Sequence, residues 1–242
     1  MSEDINNNLN NSDNSNGSNE KIIVGLDEAG RGPVLGPMVI ASVKIDEKNL
    51  YKLNDLELKD SKQLSKKKRE ELYIIINEMC DVEKIVIDPE TIDKQMEIIN
   101  LNKIELSAFS KLSNHFIREN DNISIYIDAC SSSEQSFSNQ FKAKLINKNV
   151  EIIAEHKADE NYKIVSAASI IAKVTRDRVI EEYKETFGEI GSGYPSDPKT
   201  KKFLKNYVYE NRTLPKIARK SWATSKNLLK EIEESKIFQW VK

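Results

Sequence analysis

A chain of 242 residues is long enough to bury a sizeable core, and its 37 basic and 39 acidic side chains leave a formal net charge of only −2, which by itself excludes no class of partner. Cys80 and Cys130 stand alone without metal-ligand spacing, which argues against a disulfide framework or a thiolate metal cluster and predicts a reducing, cytoplasmic setting. No apolar stretch approaches the length of a membrane span, and no basic start followed by an apolar run marks a secretory signal.

Residues 1–20 are rich in Asn and Ser, contain no Val, Phe, Tyr or Trp, and hold Glu3, Asp4, Asp13 and Glu20 without any Lys or Arg. Such a segment cannot bury enough apolar surface to offset the entropy of ordering, so a disordered tail is expected. Removing its −4 from −2 leaves the remainder, 21–242, at +2. Residues 21–27 (KIIVGLD) form a short apolar run that reads as a buried strand, and 38–43 as a second, joined to it by a loop with three glycines and two prolines. A basic run follows in Lys59, Lys62, Lys66, Lys67, Lys68 and Arg69; Ser65 within it can cap a helix with Leu72, Ile75, Ile76 and Met79 on its apolar face. Residues 82–87 predict a third strand, stopped by Asp88-Pro89, and Leu101, Ile104, Ala108, Leu112 and Phe116 line one side of a long helix.

The aliphatic run 123–127 predicts a strand that delivers Asp128 at its carboxyl end. A helix near 135–146, a strand at 150–154 and a helix at 164–183 follow; Ala167-Ala168-Ser169 in the last permits close approach to a sheet. Asp197-Pro198 is a good helix start, and helices near 197–208 and 221–236 predict a small C-terminal appendage, 196–242, after a main domain at 21–195. From Tyr194 to the end, twelve basic residues face five acidic ones, a local charge of +7. Two hairpin-linked strands followed by alternating helices and strands imply an α/β fold with a mixed sheet flanked by helices.

Two adjacent acids, Asp27 and Glu28, sit where the first strand ends, and a loop follows whose glycines permit tight turning or close approach to a ligand. An ionised Asp128 at a buried strand end is costly unless its charge is paired or ligates a metal. The alternative is that Asp27 and Glu28 are ordinary turn acids. A dinucleotide reading of Gly30-Arg31-Gly32 fails on Pro33 and Pro37, which spoil the helix start that must meet a pyrophosphate, and no P-loop triplet is present.

Four blocks carry a family resemblance: GLDEAGRGPVLGPMVIA at 25–41, LKDSKQLS at 58–65, HKADENYKIVSAASIIAKVTRD at 156–177 and GSGYPSDPKT at 191–200. In this order they resemble the ribonuclease HII family, in its archaeal style at His-Lys-Ala-Asp, over roughly residues 21–224. The resemblance implies a ribonuclease H-like five-stranded sheet and an endonuclease that hydrolyses the phosphodiester 5′ to ribonucleotides embedded in duplex DNA, and in RNA–DNA hybrids. It implies two Mn²⁺ or Mg²⁺ ions on Asp27, Glu28, Asp128 and Asp159; four acids from three separate segments suit hard, oxygen-seeking cations. Glu155, Glu160 and Asp177 rival Asp159, although Asp177 is better read as paired with Arg176 or Arg178. By the same resemblance the Gly30, Arg31 and Gly32 backbone and Tyr194 sense a 2′-hydroxyl, while Lys59 and Lys62 contact phosphates. Lys173 is left outside the site, His115 and His156 are read as structural, and Trp222 and Trp240 as apolar anchors. A monomer is expected, with no membrane partner. The rival readings are the sister ribonuclease HIII, a binding module that has lost catalysis, and an oxidoreductase.

Overall fold

The computed structural model describes residues 20–58, 64–118, 121–129 and 133–240. The expectations for residues 1–19, Lys59, Lys62, Cys130 and the Trp240 side chain fall outside the described residues. Strands β1 (Ile22–Ala29) and β2 (Met38–Asp46) lead through short helical turns, including α1 (Tyr51–Asn54), to α2 (Lys66–Met79) and β3 (Asp81–Ile87). Then come α3 (Pro89–Met96), α4 (Leu101–Phe116), β4 (Ile123–Asp128), α5 (Glu134–Lys144) and β5 (Glu151–Glu155). The four-residue α6 (Ala158–Asn161), the long α7 (Lys163–Phe187), α8 (Pro198–Asn211) and α9 (Ala223–Trp240) complete the order.

The sheet runs β3-β2-β1-β4-β5, antiparallel across β3, β2 and β1 and parallel across β1, β4 and β5. Central β1 is covered on both faces, which explains its nearly continuous apolar run. Val24 and Leu26 pack toward α4 and α5, against Phe109, Phe137 and Phe141. Ile23 and Ala29 pack on the opposite face against Ala167, Ala168 and Ile171 of α7. Alternation along the strand places these two sets on opposite faces. α7 lies so close to β1 that a Cβ on Gly25 would stand 2.3 Å from the Ile164 carbonyl oxygen. A third apolar cluster joins Val34 and Leu35 of the β1–β2 loop to Ile180 of α7, Leu204 and Val208 of α8 and Ile232 of α9.

The structure adds elements that the apolar pattern does not announce. Asp88-Pro89 stops β3 and also opens α3: the Asp88 carboxylate accepts from the Thr91 amide at 2.9 Å, with proline in the first turn. α7 runs four residues past the expected end at 183, to Gly188, whose φ of 74° ends it. Among the described residues no helix is long and apolar enough to cross a membrane.

Candidate active site

Strand register assembles the first half of the site. β1 pairs with β4 in parallel with Leu26 opposite Ile127, so the next residues, Asp27 and Asp128, emerge side by side at the same sheet edge. Asp159 arrives from α6, whose start is set by Lys157 in the left-handed region at φ 60°. That conformation aims the Lys157 amide at Asp128 Oδ1, 2.9 Å away, and tethers the turn carrying Asp159 to the strand that carries Asp128. The three aspartates offer carboxylate oxygens that all lie within 4.8 Å of one another, although 101 residues of sequence separate Asp27 from Asp128 (128 − 27).

Glu28 lines the same cleft but is not one of this group of three. As the neighbour of Asp27 on a strand it starts toward the other face, where Glu105 of α4 lies nearby. Its Oε2 is buried and has no hydrogen-bond partner among the described residues. Of the sequence rivals, Glu155 sits in register with Asp128 but accepts a hydrogen bond from the Tyr162 hydroxyl at 2.9 Å. Glu160 is ion-paired to Lys157 at 3.2 Å. Asp177 does pair with Arg176, at 4.0 Å, but its nearer partner is Arg69 of α2, at 3.2 Å, while Arg178 pairs with Glu70.

Electrostatics at the cleft are those of crowded acids. Burial, then the adjacent Asp128 charge, pushes the Asp27 carboxyl up to about 7; Lys173 and a hydrogen bond from Ser169 act against that rise. Burial and the charges of Asp27, Glu105 and Asp128 also raise Glu28 well above the usual carboxylate range. A cluster of hard oxygen donors, costly without positive charge between them, fits a divalent cation.

The cleft, about 530 Å³, is also lined by Gly30, Arg31, Gly32, Arg69, Lys173, Arg176, Asp177 and Tyr194. Gly30 turns the chain with φ 85°, and a Cβ there would meet the Pro37 carbonyl oxygen at 2.5 Å. The Arg31 guanidinium is drawn away to α4, where it meets the buried Glu105 and Asn102. Tyr194 is 42% exposed, with the Arg176 guanidinium 5.4 Å from its ring centre. Its loop is fixed from two sides: Val34 and Leu35 amides donate to Gly193 O at 2.8 and 3.1 Å, and Asp197 accepts from the Ser192 amide and hydroxyl at 2.6 and 2.7 Å. Those bonds, led by the Ser192 amide, hold the Asp197 carboxyl down at about 2.

Lys173, which the sequence reading leaves outside the site, lines the cleft and donates to Ser169 Oγ at 2.7 Å. The available signal is spacing: Ser169, Lys173 and Asp177 recur every fourth residue on a helix that is otherwise mostly apolar. Arg69 and Glu105 carry no such signal, because only the tertiary fold brings α2 and α4 to the strand ends.

The family model for ribonuclease HII matches residues 24–225. This chain belongs to the ribonuclease HII family. It is accordingly an endonuclease of ribonuclease H type 2, a class that uses divalent metal ions. It is 87% identical to the ribonuclease HII of Methanococcus maripaludis strain C7 over the whole of both chains. It is 48% identical to that of Methanocaldococcus jannaschii, covering 89% of this chain and 98% of the other. The solved ribonuclease H2 of Pyrococcus horikoshii superposes with a TM-score of 0.81 at 42% identity, covering 88% of this chain and 99% of that one. A ribonuclease HIII solved with Mn²⁺ shares the fold with a TM-score of 0.73 at 22% identity, over 87% of this chain and 70% of that one. The mixed five-stranded sheet flanked by helices is thus the ribonuclease H-like fold that the sequence motifs imply.

Proposed function

We propose that this ribonuclease HII hydrolyses the phosphodiester 5′ to a ribonucleotide embedded in duplex DNA, and RNA strands of RNA–DNA hybrids, leaving 3′-hydroxyl and 5′-phosphate ends. The observation that carries the reading is the convergence of Asp27, Asp128 and Asp159 within 4.8 Å in an open cleft. Asp27, Glu28, Asp128 and Asp159 would hold two Mn²⁺ or Mg²⁺ ions. Bound there, such ions supply the Lewis acidity that stabilises the attacking water and the leaving 3′ oxygen of an in-line displacement.

The chain's own residues do the rest. The Lys157 amide orients Asp128 by donating to its Oδ1. Lys173, bonded to Ser169, sets a positive charge beside Asp27 that favours its ionised form. Backbone amides of the Gly30–Arg31–Gly32 turn can approach a ribose closely and bond its 2′-hydroxyl, which both donates and accepts. Arg31 contributes through its backbone here, since Glu105 and Asn102 occupy its side chain. The exposed Tyr194 phenol bonds the same hydroxyl while its ring stacks on the neighbouring deoxyribose. Lys59, Lys62 and the basic C-terminal region, 196–242, contact phosphates without reading sequence. In the cell this activity serves ribonucleotide removal during replication and repair in the cytoplasm, carried out by a monomer.

The test is a labelled duplex with one ribonucleotide, incubated with and without Mn²⁺. A single metal-dependent cut on the 5′ side of the ribonucleotide is expected. Cutting on its 3′ side, or an intact duplex in Mn²⁺, would end the proposal.

A further inference from the structure

Residues 214–222, between α8 and α9, belong to no helix or strand, yet they brace the glycine turn from behind. Leu35 bridges Ala218, the Gly36 amide donates to Ile217 O at 2.9 Å, and the Arg219 amide donates to Val34 O at 2.9 Å. The segment is fixed at its far side by Asp93 of α3, which accepts from the Lys220 and Ser221 amides at 2.7 and 2.9 Å. From this braced backbone the Arg219 side chain, 0% exposed, reaches into the turn. Its Nη2 donates to Gly30 O at 2.6 Å, Nη1 to Arg31 O at 3.0 Å and Nε to Gly36 O at 2.9 Å. The Trp222 indole lies against the guanidinium, 4.6 Å from ring centre to Cζ, and donates through Nε1 to Gly32 O at 3.1 Å.

A buried guanidinium held this way is expensive. Among the described residues Arg219 has no carboxylate ion-pair partner, although the Asp93 charge acts in its favour from a distance; burial, then the charge of Arg176, pull it down to about 9. All three of its side-chain hydrogen bonds go to carbonyls of one loop. In a planar trans peptide the N–H points opposite to the C=O. Holding the carbonyls of Gly30 and Arg31 therefore fixes the directions of the next amides, those of Arg31 and Gly32, away from Arg219 and toward the cleft that both residues line. Arginine suits the task because its rigid fork spans several acceptors at once, whereas a lysine ammonium acts as a point charge on a flexible stem.

We propose that Arg219, seconded by Trp222, is a positioning residue for ribonucleotide selection: it clamps the carbonyl side of the glycine turn so that the amide side presents a preset site to the 2′-hydroxyl. The inference rests on the reading of the turn as the ribose sensor. It also makes a residue 187 positions away from Gly32 (219 − 32) part of the specificity of that turn.

The experiment compares wild type, Arg219→Lys and Trp222→Phe by three readouts: kcat/KM on a duplex with one ribonucleotide, inhibition of that reaction by the all-deoxy duplex of the same sequence, and titration with Mn²⁺ alone. Arg219→Lys is expected to lose about ten- to a hundred-fold in kcat/KM on the ribonucleotide, with Trp222→Phe losing less in the same pattern. Inhibition by the all-deoxy duplex, which has no 2′-hydroxyl, and Mn²⁺ affinity should stay within about two-fold of wild type, which a general disturbance of the site would not allow. If Arg219→Lys fails to fold, Trp222→Phe decides alone, since it removes one indole N–H and keeps an aromatic ring. Parallel loss of ribonucleotide cleavage, deoxy-duplex binding and Mn²⁺ affinity would overturn the proposal. So would kcat/KM within about two-fold of wild type in every folded variant. A wild type that leaves the ribonucleotide duplex intact would overturn the functional reading itself, a result distinguishable from either.

Discussion

Asp27 is buried beside Asp128, and the same crowding that suits it to a cation burdens the metal-free protein. Its folded carboxyl titrates at about 7, above the value near 4 expected of an unfolded aspartate. Between those two values the folded state holds a proton that the unfolded state has released, so stability of the metal-free protein falls as pH rises through that window. Above about pH 7 the whole penalty is present, and a bound divalent ion relieves it. The rise in melting temperature on adding Mg²⁺ should therefore be larger at pH 8 than at pH 5, because at pH 5 the ion must first displace the proton. Equal rises at the two pH values would contradict this. The substitution Asp27→Asn follows the same logic: cleavage is lost while the metal-free protein melts at a higher temperature than wild type at pH 8. A variant that is both inactive and less stable at that pH would show that Asp27 is held by contacts its repulsions do not outweigh.

At the scale of elements, the close seating of α7 on β1 sets how the site is built, since Ser169 and Lys173 of the helix reach Asp27 of the strand. Gly25 is what permits it. Gly25→Ala would force a methyl group against the Ile164 backbone carbonyl, where no side-chain rotation gives relief, and should destabilise by about 1–3 kcal/mol or more in denaturant unfolding. A loss under about 0.5 kcal/mol would mean that the helix can move away freely. The strands and long helices are legible in the sequence because their apolar residues follow their burial: β1 and β4 as short, nearly continuous apolar runs, α4 as an apolar face at helical spacing. α3 escapes a reading that takes Asp88-Pro89 only as a strand stop, although the pair carries the same capping chemistry as Asp197-Pro198, where a helix start is evident. α6 is not legible at all. Its four residues bury only Ala158 and Asp159, and its start depends on a lysine in a left-handed conformation that no pattern of apolar residues signals.

Across the whole molecule the modest net charge conceals a division of labour. The metal-site acids, buried or half-buried, gather where β1, β4 and α6 meet, whereas Lys201, Lys202 and Lys205 of α8 stand exposed on the basic C-terminal region. If that region tracks phosphates, KM for the duplex should rise steeply with salt, and replacing Lys201 and Lys205 by Gln should flatten the slope by about one for each phosphate no longer neutralised. An unchanged slope would assign this helix face to solvent. The blocks of sequence that resemble the family name the residues of the cleft from sites far apart in the chain, but not how they are held. Arg219 illustrates the gap. A lone arginine in a basic stretch looks solvated, and only the fold shows it fully buried with three loop carbonyls around it.

The most direct test is calorimetric titration of Mn²⁺ into the wild type and into Asp159→Asn, the acid that reaches the cleft on a four-residue helix rather than a strand. Saturable binding by the wild type, weakened at least about ten-fold in the variant, is the predicted result. Equal affinity in the two proteins would contradict a shared cation site built from Asp27, Asp128 and Asp159.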